Sequence, residues 1–97
     1  MAKARVIKSS GNVFRDLGFP PEEALILSIR SQLIAELRQL IEGKGWTQVE
    51  AAEHMGVTQS RISDLKRGKW EKFSLDMLLI LAARGGLRPR IELGKAA

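Results

Sequence analysis

The sequence predicts an all-α domain of five helices closed by a short C-terminal strand. Three observations carry that reading. Ile26, Ile29, Leu33, Leu37 and Leu40 recur at spacings of three and four, and Leu27, Ile34 and Ile41 widen the stripe beyond what one partner helix needs. The stretch from Thr47 to Gly68 holds two helix starts, Thr47 and Thr58, around a break at Gly56. The tail alternates Leu87, Pro89, Ile91 and Leu93 with Arg88, Arg90 and Glu92, the period of a strand with one buried face.

Taken in order, residues 1–12 mix basic residues with Ser9, Ser10 and Gly11 and read as a flexible arm with a short extended piece at Arg5 to Lys8. Residues 13–93 form the single domain, and 94–97 are a tail. Phe14, Leu17 and Phe19 around Gly18 are more apolar than a free tail, so a short helix at 13–17 packs against this domain, a second copy or another protein. Pro20, Pro21, Glu22 and Glu23 open the long helix, because proline tolerates the first turn and carboxylates suit the positive end of the helix dipole. Gly43 and Gly45 stop it, and Trp46 adds an anchor.

Thr47 and Glu50 make a capping box for the next helix, which turns Val49, Ala52 and Met55 inward. Ala51 and Ala52 are small enough for a second helix to cross closely. After Gly56, Thr58 caps that second helix, Val57 and Ile62 staple it, and Gly68 ends it. Phe73, Ser74 and Leu78 repeat the cap and staple for a fifth helix with Leu75, Leu78, Leu79 and Ala82 on its apolar face, ending at Arg84 and Gly85. Pro89 confines the final strand to a sheet edge. Its partner is the arm near Arg5 to Lys8 or the same strand of a second molecule.

Composition narrows the function. Ninety-seven residues suffice for one small core. With no cysteine there are no disulfides or thiolate metal sites, which fits a reducing cytoplasm. No run approaches the roughly 20 apolar residues of a membrane span, and no apolar block follows the basic start as in a secretory signal. His54 stands alone, and no Ser-His-Asp set, phosphate loop or metal-ligand spacing is present, so neither enzyme chemistry nor a cofactor is expected. The net charge of +5 fits a nucleic-acid partner. Its location is more telling: Arg61, Lys66, Arg67, Lys69 and Lys72 outnumber Asp64 and Glu71 in and just after the second motif helix.

Gln48, Ala52, Gly56, Val57, Ile62 and Leu65 stand at spacings that resemble the helix-turn-helix of the Xre type, the group of the phage Cro and lambda repressors. The wider layout, NVFRDLGFPPEEA, a long helix, the motif at 47–68 and a final LRPRIEL, is similar to HigA-type antitoxins and related small Xre regulators over Asn12 to Leu93. The resemblance implies a lambda repressor-like fold and base contacts from Gln59, Ser60 and Asp64. It also implies a phosphate contact from Gln48 and backbone contacts from Arg67 and nearby basic residues. Two positions depart from it. Asp64 puts a negative charge toward a negative partner, and Lys66 stands where many relatives carry glutamate.

The residues support a readable face on their own terms. At 100° per residue Ile62 and Leu65 point inward, and Ser60, Asp64 and Arg67 lie opposite, with Gln59 and Ser63 beside them and Arg61 on the flank. Short polar side chains let a helix approach base edges, glutamine can grip adenine, and arginine takes guanine or phosphate. An exposed polar helix face that only meets water has the same appearance, and Asp64 can either read cytosine or pair with Arg61 or Arg67. Thr58 and Lys69 complete the expected double-stranded DNA contacts. Two functions follow: a repressor that binds an operator as a homodimer, and an antitoxin that neutralises a toxin protein and autoregulates its operon.

Overall fold

The computed structural model describes residues 4–8 and 12–94. Parts of the expected arm (1–3 and 9–11) and of the tail (95–97) lie outside the described residues. The elements run β1 (Ala4–Lys8), α1 (Asn12–Asp16), α2 (Pro21–Lys44), α3 (Gln48–Met55), α4 (Gln59–Lys66), a 3-10 turn (Trp70–Lys72), α5 (Leu75–Arg84) and β2 (Arg88–Glu92). The five helices and the C-terminal strand are those the sequence predicts. β1 adds the extended piece of the arm, paired parallel to β2 from Ala4 opposite Arg88 to Lys8 opposite Glu92.

α2 is the axle of the domain. Its 24 residues span about 36 Å, and both stripes are buried, Leu27, Ile34 and Ile41 on one side and Ile29, Leu33 and Leu37 on the other. Gly45 closes it in the left-handed conformation (φ 68°), with the Gly45 and Trp46 amides donating to the carbonyls of Glu42 and Ile41. Ile26 lies on the same side as Leu33 and Leu37 yet stays exposed, on the wall of an open groove it shares with Phe19 and Trp70. α1 packs beside that end through Phe14, whose ring meets Phe19 at 6.0 Å and Trp70 at 5.8 Å, both edge to face. The N-terminal segment therefore folds onto its own domain, while Val13 and Leu17 face outward.

The core joins α2 to the other helices through Ala51, Ala52, Met55, Ile62, Leu65, Phe73, Leu78, Leu81 and Ala82. Three expectations shift here. Val49 is 47% exposed and Ala51 takes the inward position, since α3 turns its small side toward α4. On α5 the fully buried positions are Leu78, Leu81 and Ala82, with Leu75 and Leu79 only half-buried. Arg84 and Gly85 end α5 as expected; Gly86 then makes the left-handed turn (φ 93°), while Gly85 is buried, and a Cβ there would run into the Leu40 side chain. The apolar side of β2 is covered only at its start: Pro89 is half-buried, while Ile91 is 49% and Leu93 93% exposed.

Candidate nucleic-acid interface

The interface is assembled from the two motif helices and the basic segment after them. Thr47 Oγ1 accepts from the Glu50 amide at 3.1 Å, and Glu50 Oε1 accepts from the Thr47 amide at 2.9 Å. This box satisfies two of the four donors that open α3, and those of Gln48 and Val49 remain turned to solvent, the arrangement that receives a phosphate. Thr47 holds the Glu50 carboxyl below its ordinary value, first through its amide and then through its hydroxyl; His54 adds a smaller pull in the same direction. Glu50 is thus folded back onto the backbone, and the exposed Gln48 side chain stands beside the free amides.

The angle between α3 and α4 is set at Gly56. Its positive φ (66°) lets the Val57 amide return to the Ala52 carbonyl at 3.0 Å, and Arg84 of α5 donates from Nη1 to the Met55 carbonyl at 3.0 Å. A basic side chain from a distant helix thereby caps the negative end of α3. Ile62 and Leu65 are fully buried against this corner, which fixes the rotation of α4 about its axis.

That rotation leaves Thr58, Gln59, Ser60 and Arg67 exposed and Ser63 and Asp64 half-buried, on the side of α4 away from the core. Thr58 Oγ1 accepts from the Arg61 amide at 3.2 Å, capping α4 while its own O–H is still able to donate. Asp64 forms no ion pair with Arg61 or Arg67 among the described residues, so its carboxylate keeps its acceptors for a partner. Arg61 behaves differently from its neighbours. Its Nη1 donates to the Lys72 carbonyl at 2.9 Å and its guanidinium lies 5.5 Å from the Phe73 ring centre, so it clamps the segment after α4. Gly68 (φ 69°) turns that segment, with the Lys69 amide on the Asp64 carbonyl at 3.1 Å, and sets Lys69 beside the exposed end of α4.

A family model described as a helix-turn-helix domain matches residues 13–94. The chain belongs to that family. No curated protein matches it. As a helix-turn-helix protein it is a DNA-binding regulator in the general sense, and the family match spans every element of the interface just described. Among the described residues no helix is long and apolar enough to cross a membrane, and no group of His, Asp and Glu is placed to hold a metal.

Of the nine residues expected at DNA, the structure brings Gln48, Thr58, Gln59, Ser60, Ser63, Asp64, Arg67 and Lys69 to the motif's outer side or its flanking loop, and turns Arg61 to a structural task. Two contributors escape sequence reasoning. Arg84 reads only as a helix end, because its bond to Met55 spans 29 positions and leaves no periodic trace. His54 reads as an isolated polar residue, yet it stacks on Trp46 at 4.1 Å with the rings 9° from parallel and buttresses the start of α3. The (i, i+8) spacing across a helix start is the only signal it leaves.

Proposed function

We propose that this helix-turn-helix protein is a sequence-specific transcriptional repressor of the Xre type, acting in the cytoplasm as a homodimer on a near-palindromic operator. The observation that carries the reading is the outer side of α4: exposed short polar side chains, flanked by a basic segment, on a helix whose rotation two buried residues lock. In this reading α4 lies in the major groove. Gln59, Ser60 and Asp64 face base edges, with Ser63 alongside, while Thr58, Arg67 and Lys69 reach phosphates. Gln48 and the free amides of α3 take another phosphate across the groove. Arg61 contributes by positioning the basic segment.

Binding selection on random duplexes tests this directly. The expected product is two inverted half-sites whose centres lie one helical turn apart, about 34 to 36 Å or 10 to 10.5 base pairs. A pool that stays random through successive rounds would remove sequence-specific recognition.

A second reading adds an antitoxin role and is favoured by one observation. Phe19, Glu23, Ile26, Leu27, Arg30 and Trp70 line an open groove of about 340 Å³, and Leu17 nearby is 69% exposed. An apolar concavity of this size suits an anchoring side chain of a protein partner. Trp70 opens the 3-10 turn inside the basic segment, so a toxin seated there would adjoin that segment. Copurification with the product of an adjacent toxin gene, and its loss in Ile26→Asp, is the expected result.

A further inference from the structure

The two-stranded sheet is closed on one side only. β1 pairs along one edge of β2, and among the described residues no backbone group of 88–92 bonds across the other. A free strand edge is a template for another strand, and proteins that keep such an edge single blunt it with charge or bury it. Here the edge carries both charge and exposed apolar surface. Ile91 and Leu93 stand on one side of the strand with half-buried Pro89, and Arg88, Arg90 and Glu92 on the other.

We infer that this edge of β2 pairs antiparallel with β2 of a second copy, on a two-fold axis through Ile91. The inference rests on the dimeric reading above and names the surface that makes the dimer. The choice of register follows from charge. A two-fold axis perpendicular to a sheet keeps like sides together, so it passes through a residue and pairs its neighbours symmetrically. With the axis at Arg90, two guanidinium groups stand directly opposite each other. With the axis at Ile91, Arg90 of each copy stands opposite Glu92 of the other, twice, and like charges are removed. On the other side of the sheet Ile91 then meets its own copy, and Pro89 of each copy meets Leu93 of the other, which covers the side chains that one molecule leaves in water.

A charge-swap cycle on the full chain without DNA tests both the surface and the register. Sedimentation equilibrium is expected to show a dimer. Arg90→Glu and Glu92→Arg each weaken it about tenfold or more, and the double variant R90E/E92R returns the dissociation constant to that of the parent, since the pair is restored with its signs exchanged. Circular dichroism checks that both single variants keep the parent's helix content. A monomeric parent, single variants that dimerise as the parent does, or a double variant no better than the singles each overturns the proposal. A duplex carrying one selected half-site separates this from the DNA reading. Sequence preference by a monomeric protein there overturns the strand interface and leaves recognition standing, whereas a charge-swappable dimer without preference keeps the interface and removes the recognition.

Discussion

Gln59 and Arg61 leave α4 two residues apart and do different work. Gln59 is exposed and the sequence shows why, since the two buried residues of the helix fix which way it points. Gln59→Ala is expected to relax preference at one or two base pairs, at about 1 to 3 kcal/mol on the preferred sequence, with other sequences bound as before; competition between single-base variants of the operator measures it. Arg61 looked like a flank contact, and only the path of the chain after Gly68 shows its Nη1 on the Lys72 carbonyl. That partner lies outside the helix, where periodicity says nothing. Arg61→Ala removes a half-exposed charged hydrogen bond and the Phe73 contact, so thermal unfolding should record a loss of about 1 kcal/mol. On the proposed reading, which puts phosphate contacts on the loosened segment, DNA affinity should fall by the same factor on all sequences. Glu50 gives a pH signature. Its carboxyl is held below the ordinary 4.5 by Thr47, so its contribution is fully present above that value and is lost as pH falls through the lower, folded one. Glu50→Gln keeps an acceptor without a titrating group. Its denaturant midpoint should therefore fall less steeply than the parent's on the acid side.

The starts of α3, α4 and α5 are legible because a cap is local: Thr47, Thr58 and Ser74 each accept from the amide three residues on. Each packing interface was legible only in outline. Ile26 and Leu33 fall on the same stripe of α2, yet one is exposed and the other buried, since the stripe does not record what packs over it. The tail shows the same limit, as alternation predicts a strand but not whether anything lies over it. Gly85 is the sharpest case. The sequence ends α5 at Arg84 and Gly85, as the structure does, but does not divide the work of the two adjacent glycines: Gly86 adopts positive φ, and Gly85 is small because α2 passes close by. Their substitutions should differ in cause. Gly86→Ala strains an open left-handed turn, while Gly85→Ala keeps an ordinary backbone and forces Leu40 and Met55 aside. Overpacking of this kind destabilises by about 1 to 3 kcal/mol. Pairing Gly85→Ala with Leu40→Ala should lose less stability than the two single losses added, as measured by urea unfolding, because the smaller side chain vacates the space.

At the scale of the whole molecule the charge is divided. The segment 61–72 holds five basic residues against two acidic, while α3 beside it carries Glu50 and Glu53. Glu50 is folded back on its own helix start by the Thr47 amide. Composition alone gives the sum, and the motif gives the place, but the bend at Gly68 and the Arg61 clamp on the Lys72 carbonyl set the course of the chain that carries Lys69 and Lys72. If they neutralise phosphates, binding releases counterions, and log K falls with log salt at a slope of about −0.9 per phosphate on duplex DNA. Lys69→Ala should lower that slope by about one contact and weaken operator and scrambled duplex by equal factors, leaving the ratio between them intact. Gln59→Ala should do the opposite, reducing the ratio with the slope unchanged. The two variants thus form a crossed test in one titration series at several salt concentrations. A Lys69→Ala slope equal to the parent's would assign that lysine to solvent, and a changed slope in Gln59→Ala would move the glutamine from base edge to backbone.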